Sequence, residues 1–335
     1  MLRRKETAAD RERGVLAMNA QRKNIWRKTI VCFLLMVTAA AGCMSTNLVS
    51  VLAEENVVSD EVQEVQEEES TDADIPEEKD VVNIMLIGQD KRGGQDRQRS
   101  DTMILAVINK EKNCLQLISF MRDLYVPIPG HSDNRMNAAY QLGGMELLDE
   151  VMEEDFGIHI DGNVEVDFEG FQTLIDLMGG IDLELTQEEA DYICGRNQNV
   201  LYPQPLREDW DLTEGINTLN GEQALIHARN RSVGNNDYRR TERQREVLTA
   251  ALDKAMESDI GTMLKLAEKG FSMLTTDMSY GDILGCAMGV LAMEEPAVES
   301  YRIPEDGAYS SAVIRQMQVL VPDLTKCRDY LQSIL

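Results

Sequence analysis

Apolar and polar residues are distributed along this chain in a pattern that predicts strands interleaved with helices. VVNIMLIGQD (residues 81–90), ILAVIN (104–109) and LQLISF (115–120) have the apolar content of buried strands. The polar KEKN between the last two predicts a hairpin. Glu165–Phe168 predicts a short strand, and IDLEL (181–185) predicts another.

Helical spacing of apolar residues dominates the second half of the chain. Helices are predicted at 144–154, 168–178, 221–229, 239–256, 261–274, 279–293 and the C-terminus. Residues 191–217, with two prolines and several Asn and Gly, predict a loop, and ESYRIP (299–304) predicts a last strand. The predicted fold class is therefore α/β, with a mixed central β-sheet covered by helices.

The first 80 residues predict a membrane anchor and a spacer. Residues 29–52 contain no charged residue over 24 positions, whereas a membrane-spanning helix needs about 20. The basic residues 1–28 predict a cytoplasmic tail before this transmembrane helix, and the acidic residues 53–80 predict an extracytoplasmic linker after it. A cleaved signal peptide ending before Cys43 is the alternative. Both interpretations place residues 81–335, the predicted catalytic domain, outside the cytoplasm.

Charge and cysteine content narrow the classes of partner. The net charge is −26; residues 1–28 carry nine Lys and Arg against three acidic residues, a net +6, so the remainder carries −32. Such a body repels DNA phosphates, which argues against a nucleic-acid partner. The cysteines outside the predicted anchor, Cys114, Cys194, Cys286 and Cys327, lack metal-ligand spacing and are predicted as either disulfide-bonded or free thiols.

Six arginines are nonetheless concentrated in RNRSVGNNDYRRTERQR (residues 229–245). Asp237, Arg240 and Gln244 have the i, i+3, i+7 spacing that places side chains on one face of a helix. Because guanidinium groups match the geometry of phosphate oxygens, such a cluster is typical of a polyanion site. An exposed helix with solvated arginines is the alternative.

A second group of charged residues lies near the ends of the predicted strands. Asp90 follows the first strand and Asp101 opens the next, a pair of carboxylates suited to Mg²⁺ together with phosphate oxygens. Arg99, Arg122 and Arg135 lie in the same region of the sequence. The two groups together predict a metal-assisted phosphate or pyrophosphate site.

The chain also resembles the LytR–CpsA–Psr family of membrane-anchored bacterial cell-wall glycopolymer ligases. The matching segments run in order from about Val82 to Asp253: LIGQDKR, RSDTMILAVIN, LISFMRDLYVPIPGH, RMNAAYQLGG, VEVDFEGFQTLIDLMGGIDLEL, LNGEQALIHARNR and DYRRTERQREVL. Arg239 stands where the family usually has glycine, and Arg135 where it usually has lysine.

The resemblance implies roles for individual residues. Asp90 and Asp101 match magnesium ligands, with Mn²⁺ as the alternative ion. The residues that match the substrate pyrophosphate site are Arg99, Arg122, Arg135, Arg229, Arg231, Arg240 and Gln244. The candidate catalytic residues are Asp101, Arg99, Arg122 and Asp237. Either Asp101 or Asp237 is expected to act as the general base. Phe171, Leu174, Ile175 and Met178 could line a channel for a polyprenyl tail, although an amphipathic helix ordinarily buries this face in the core.

The expected function is that of a phosphotransferase. It would move a glycopolymer from polyprenyl pyrophosphate to a peptidoglycan hydroxyl and leave a phosphodiester link. The alternatives are a pyrophosphatase acting on lipid-linked pyrophosphates, in which water is the acceptor, and a non-catalytic module that binds wall polymer or lipid. The expected partners are the lipid-linked glycan, peptidoglycan and the membrane.

Overall fold

The computed structural model describes residues 80–89, 99–234, 236–258, 273–279 and 296–335, with scattered positions between 262 and 293. The predicted tail, transmembrane helix and most of the predicted linker lie outside these residues, as does Asp90. Within the described part of the chain, no helix has the length and apolar character needed to cross a bilayer.

Twelve strands and six α-helices are found in the described part. The strands are β1 (Val81–Gln89), β2 (Ser100–Asn109), β3 (Cys114–Phe120), β4 (Tyr125–Val126), β5 (Asn134–Arg135), β6 (Gly162–Asp167), β7 (Ile181–Leu185), β8 (Gly215–Leu219), β9 (Leu274–Thr276), β10 (Ala297–Ile303), β11 (Tyr309–Ile314) and β12 (Met317–Pro322). The helices are α1 (Asn137–Val151), followed by a π-helical turn at Met152–Phe156, α2 (Phe168–Leu177), α3 (Gln187–Ile193), α4 (Gly221–Arg229), α5 (Asn236–Glu257) and α6 (Leu324–Ile334).

A mixed six-stranded sheet in the order β10-β3-β2-β1-β6-β9 forms the centre of the fold. The pairs β1–β2, β2–β3 and β6–β9 are antiparallel, whereas β1–β6 and β3–β10 are parallel. Three two-stranded sheets accompany it: β4–β5, β7–β8 and β11–β12. The predicted fold class, a mixed sheet flanked by helices, is confirmed.

Two buried apolar clusters hold these elements together. The larger one joins β1, β2 and β3 to α1, the π-helical turn and α6 through residues such as Leu105, Phe120 and Leu148. The second packs the two-stranded β7–β8 sheet against α2, α3, α4 and α5, with Ile175, Ile181 and Leu219 fully or nearly buried. This second cluster matters most for the site, because it fixes the helices that carry the arginines.

Local sequence signals set the beginning of the helices around the site. The Asp167 side chain accepts from the Gly170 amide at 2.8 Å and caps α2. Asn220 and Gln223 form a reciprocal capping box at α4, each side chain bonded to the other's backbone amide at 2.9 Å. Because capping satisfies amides left free at a helix start, these residues determine where α2 and α4 begin.

Three predictions of secondary structure need correction. The predicted loop at 191–217 contains the last residues of α3 and the start of β8, whose only buried residue is Leu219, so that no apolar alternation marks it. Helix α1 begins seven residues before its predicted start and tolerates Gly144 at φ 79°. The predicted end of the helix at 261–274 is wrong, because Leu274 is the first residue of β9. Most of this helix and of the one at 279–293 lies outside the described residues.

The cysteine alternatives are decided for four positions. Cys114, Cys194, Cys286 and Cys327 are all free thiols, and three of them are buried. Burial raises the pKa of Cys327 to about 11, which keeps this thiol protonated at neutral pH.

Candidate active site

A cavity of about 680 Å³ lies beside the start of β2 and the end of β3, and helices α2, α3, α4 and α5 together with the loop after α3 complete it. Its cationic lining residues are Arg122, Arg207, Arg229, Arg231 and Arg240, and its carboxylates are Asp101 and Glu222. Apolar side chains line another part, namely Phe168, Leu225 and Ile226. Five guanidinium groups against two carboxylates leave the described lining with an excess of positive charge beside an apolar surface.

Asp101 and Arg122 meet at the sheet end of the cavity. The Arg122 guanidinium donates to an Asp101 carboxylate oxygen, and its Nε lies 3.5 Å from Asp123 Oδ2. Arg135 Nη1 approaches the other Asp123 oxygen at 3.2 Å. Burial by itself would lower the pKa of Arg122, but the charges of Asp101 and Asp123 outweigh it and raise that pKa. Arg122 therefore stays charged while it lines the cavity.

Helix α5 contributes a carboxylate shared by two arginines. Asp237 Oδ1 lies 3.2 Å from Arg231 Nε and 3.1 Å from Arg240 Nη2. The Arg240 side chain is only 3% exposed, and its buried Nε has no hydrogen-bond partner in the described structure. Burial, reinforced by the charge of Arg122, lowers the pKa of Arg240 to about 10. A buried cation with spare donors is arranged to receive an anion.

Arg229 is positioned by an aromatic ring at the last turn of α4. Its guanidinium carbon lies 4.2 Å from the centroid of the Phe168 ring, a cation–π distance. Phe168 is the first residue of α2, whose start is capped by Asp167. Gly221, at the start of α4, brings α4 and α2 together, since a Cβ at this position would lie 2.2 Å from the Gln172 carbonyl oxygen.

Arg243 holds the loop between α4 and α5 instead of facing the cavity. Its Nε donates to Glu189 Oε1 at 2.8 Å, Nη1 to the Asn230 carbonyl at 3.0 Å and Nη2 to the Val233 carbonyl at 2.9 Å. Burial alone would raise the pKa of Glu189, but the Thr186 amide and Arg243 outweigh it and lower the pKa to about 2. This buried pair fixes the loop that carries Arg231.

Arg239, the residue found in place of the family's usual glycine, is explained by its ion pairs. It lies 2.6 Å from Glu246, 3.0 Å from Glu242 and 3.3 Å from Glu189. The side chain therefore joins α5 to α3 and does not line the cavity.

The predicted site residues separate into those that line the cavity and those that lie elsewhere. Asp101, Arg122, Arg229, Arg231, Arg240 and Gln244 line it, and Asp237 lies behind Arg231 and Arg240. Arg99 and Arg135 do not: Arg99 Nε donates to Gln141 at 3.3 Å, and Arg135 pairs with Asp123.

None of the four residues suggested for a lipid channel lines the cavity. Ile175 is buried in the second apolar cluster, and Phe171 and Met178 pack against it. Leu174 is half-buried. Phe168, Leu225 and Ile226 provide the apolar surface in their place. Phe168 and Ile175 share a face of α2 but lie two turns apart, so the start of the helix reaches the cavity while Ile175 packs into the second cluster.

Sequence reasoning missed a contribution from the loop after α3. Tyr202, Gln204, Pro205 and Arg207 line the cavity, and the Arg207 guanidinium donates to Glu222 on α4. The combination of tyrosine, proline and arginine in YPQPLR was the available signal, but no periodicity links it to the arginine cluster.

A magnesium site can be tested here only in part. No group of three carboxylate, histidine or cysteine residues suited to a metal occurs among the described residues. Asp101 is 31% exposed and lines the cavity, and Gln89, which precedes Asp90, pairs with Ser100 across β1 and β2. The carboxylate of Asp101 in the cavity has the oxygen chemistry that Mg²⁺ prefers, and Asp90 would be the second carboxylate.

Fold and cavity together define a class: α/β proteins with a mixed sheet and an arginine-rich cavity at its strand ends. The family follows from a match of residues 48–332 to the profile of the LytR_cpsA_psr family. The chain belongs to the LytR–CpsA–Psr family, which confirms the resemblance stated from the sequence.

Known relatives support this assignment. The chain is 37% identical over 215 residues to the polyisoprenyl-teichoic acid–peptidoglycan teichoic acid transferase TagU of Oceanobacillus iheyensis, covering 62% of this chain and 58% of TagU. It therefore spans about three fifths of the length of that relative. Bacillus subtilis TagV superimposes with a TM-score of 0.59 at 26% identity, covering 76% of this chain and 97% of TagV. YwtF (TagT) with bound octaprenyl pyrophosphate lipid superimposes at 0.57 with 24% identity, covering 76% and 90%.

Proposed function

We propose that this protein is an extracytoplasmic phosphotransferase that moves a glycopolymer from polyprenyl pyrophosphate to a peptidoglycan hydroxyl. The observation that carries the proposal is a single cavity with five arginines on its lining and an apolar surface beside them. A substrate with a pyrophosphate joined to a hydrocarbon chain matches both parts. The name of the TagU relative, which describes a transfer of teichoic acid from polyisoprenyl to peptidoglycan, points to the same chemistry.

The reaction replaces a phosphoanhydride bond by a phosphate ester bond. The acceptor hydroxyl oxygen forms a bond to the phosphorus next to the glycan, and the bond from this phosphorus to the bridging oxygen breaks. Polyprenyl phosphate leaves with that oxygen, and the products are this phosphate and a glycan–phosphate–peptidoglycan diester. Arg122, Arg231 and Arg240 stabilise the negative charge that develops on the phosphoryl oxygens and the leaving group.

The hydroxyl proton must pass to a base near the phosphates. Asp101 lines the cavity, whereas Asp237 lies behind it and is held by Arg231 and Arg240. Asp101 is accordingly the candidate base, and Asp237 positions the two arginines. Asp90 and Asp101 would also hold Mg²⁺, which when bound neutralises pyrophosphate charge.

The proposal includes the location of the chain. The apolar residues 29–52 would anchor it as an uncleaved helix with the N-terminus inside, and the acidic residues 53–80 would connect this anchor to the catalytic domain. Peptidoglycan and the membrane-borne donor are both reached on that side.

The test uses the full-length chain in detergent with an undecaprenyl-pyrophosphate-linked oligosaccharide, a peptidoglycan oligomer and Mg²⁺. Mass spectrometry detects the phosphodiester-linked product. Asp101→Asn should lower the rate of its formation by about 10²–10³, the range seen when an electrostatic or proton-transfer group is removed. Asp211→Asn, at a fully exposed side chain, is the matched control.

The other outcomes separate the rival functions. Release of glycan phosphate without a peptidoglycan adduct would identify a pyrophosphatase. Tight lipid binding with no turnover, unchanged by Asp101→Asn, would identify a binding module and contradict the proposal.

A further inference from the structure

The loop between α3 and β8 exposes an uncharged apolar segment, VLYPQPL (residues 200–206), called the apolar tip below. Leu201 is 71% exposed, Tyr202 56% and Leu206 57%. Large apolar side chains with this exposure are ordinarily scattered singly on a soluble surface. Three of them within seven residues, without an intervening charge, indicate an interaction surface.

Hydrogen bonds hold the apolar tip in place. The Tyr202 amide donates to Ser232 Oγ at 3.2 Å, and Gln204 Nε2 donates to the Tyr192 hydroxyl at 2.9 Å. After the tip, the Arg207 amide donates to the Cys194 carbonyl at 2.9 Å. Ser232 belongs to the loop that Arg243 fixes, so the tip is attached to the same structure that carries Arg231.

The apolar tip is continuous with the cavity. Tyr202 and Pro205 line the cavity, whereas Leu201 and Leu206 do not. Beside the tip, the Arg207 guanidinium lies 5.0 Å from the centroid of the Trp210 ring. Tyrosine, tryptophan and arginine next to exposed leucines are the residue types enriched where proteins contact the membrane interface.

We propose that the apolar tip docks into the interfacial layer of the bilayer and brings the cavity to the membrane surface; this inference rests on the proposed lipid-linked substrate. The hydrocarbon of the donor then passes from the bilayer over Leu201 and Leu206 into the cavity without being exposed to water. The acidic residues Glu208 and Asp209, two and three residues after the tip, are exposed and stay outside the apolar layer. The uncharged tip requires no anionic lipid.

The length of the predicted linker permits this docking. The predicted anchor ends at Leu52, and the linker that follows it, residues 53–80, is 28 residues long. A flexible chain of that length has an end-to-end distance of about 30 Å and can extend to about 90 Å. The domain can therefore lie on the bilayer in which the chain is anchored.

The experiment measures contact with lipid without requiring turnover. Trp26 and Trp210, the two tryptophans of the chain, are replaced by phenylalanine, and Leu201→Trp is introduced. The full-length chain is reconstituted into phosphatidylcholine vesicles with or without brominated acyl chains. Val313→Trp, at an equally exposed position (72%) on β11, is the matched control. The indole at position 201 should be quenched at least about twofold more than the one at 313, as expected for a side chain at the acyl boundary.

Activity then separates this inference from the proposed function. Leu201→Glu combined with Leu206→Glu should reduce transfer from an undecaprenyl-linked donor in vesicles about tenfold, because charge prevents interfacial insertion. The same variant should retain transfer from a water-soluble geranyl-linked donor, and Val313→Glu should affect neither.

Equal quenching at positions 201 and 313 would overturn the inference, even if transfer occurs. An indole at position 201 whose emission is blue-shifted but not quenched by brominated chains, and whose blue shift is lost when protein is diluted in the bilayer, would also overturn it and would assign the apolar tip to contact with a second copy. Loss of transfer from both donors in the double variant would place the leucines in the cavity machinery instead. Absence of transfer by the unmodified chain, with quenching at position 201 alone, would contradict only the proposed function.

Discussion

At the scale of single residues, two buried arginines on α5 show how similar sequence positions acquire different tasks. Arg240 and Arg243 are three residues apart and almost inaccessible to solvent. All three nitrogens of Arg243 donate to protein oxygens, whereas Arg240 pairs with Asp237 and leaves its Nε without a partner in the described structure. Arg243 therefore serves the structure, and Arg240 has donors for a ligand.

Arg240→Lys tests the ligand role. Lysine retains the charge but loses the planar set of donors, so we expect kcat/KM for transfer to fall about 10²-fold. The free energy of unfolding should change little, because Asp237 keeps Arg231 as a partner. Arg315→Lys, at an exposed arginine in the β11–β12 turn, is the control. A wild-type kcat/KM in Arg240→Lys would show that Arg240 does not bind phosphate.

Arg243→Ala tests the structural role. Removal of the guanidinium leaves the buried Glu189 carboxylate without its main partner, so we expect a loss of about 3–5 kcal/mol in the free energy of unfolding. Urea denaturation followed by circular dichroism measures this value. Adding Glu189→Gln should recover part of the loss, because no unpaired charge then remains buried. An Arg243→Ala variant as stable as wild type would contradict the structural role of Arg243.

At the scale of elements, carboxylates join α1 to the sheet. The Asn163 side chain on β6 donates to Asp149 on α1 and to Asp277, each at 2.8 Å. Burial, reinforced by the charge of Asp277, raises the pKa of Asp149 from its ordinary 3.8 to about 6. Burial also raises the pKa of Asp155, in the π-helical turn, to about 6. Asp149 and Asp155 therefore bind protons more tightly in the folded chain than in an unfolded one.

This arrangement predicts a pH dependence of stability. Between pH 3.8 and about 6 the folded chain binds more protons at Asp149 than the unfolded chain does, so stability falls as pH rises through this window. Asp149→Asn keeps an acceptor for Asn163 but cannot ionise, and its stability should fall less over the same range. The variant should still lose some stability over this range, because the pKa of Asp155 is raised as well. Urea midpoints at pH 4.5 and pH 7 provide the comparison, and an identical difference in both proteins would contradict the assignment.

The elements also show which local patterns were informative. Helix α4 has its predicted bounds, because the Asn220–Gln223 capping box marks its start and the basic Arg229 closes it. The β11–β12 hairpin was not predicted, since its residues alternate only weakly between exposed and buried positions. Such a hairpin is stabilised by its pairing, which a local pattern does not report.

At the scale of the whole molecule, charge divides the chain into a basic N-terminal region and an acidic remainder. Residues 1–28 carry +6, and the remainder carries −32. The cavity, with five lining arginines, is a local exception within that acidic body. Repulsion by the rest of the surface favours binding of a polyanionic substrate at the cavity over binding elsewhere.

The anchor proposal is tested at this scale. The full-length chain should remain in the membrane fraction after alkaline carbonate extraction, and deletion of residues 1–52 should release it. A protease added to protoplasts, from which the cell wall has been removed, should digest the catalytic domain and spare the N-terminal tail. Recovery of the unmodified chain in the soluble fraction would contradict the anchor.

The sequence by itself determined the fold class, the family and most of the charged residues that line the cavity. Apolar periodicity, helix caps and ordered motifs are local properties, so they can be identified without knowing which elements meet. They identified Asp101, Arg122, Arg229, Arg231 and Arg240, all of which line one cavity.

Only the tertiary structure decided which side chains from distant elements line the cavity and which bind other residues of the protein. Arg243 and Arg239 contact Glu189 on α3, and Ile175 of α2 packs into the core while Phe168, two turns earlier on the same helix, lines the cavity. The same applies to Tyr202 and Arg207, which reach the cavity from a loop with no periodic pattern. Burial and ion pairing depend on contacts between residues far apart in the chain, and therefore no local pattern specifies them.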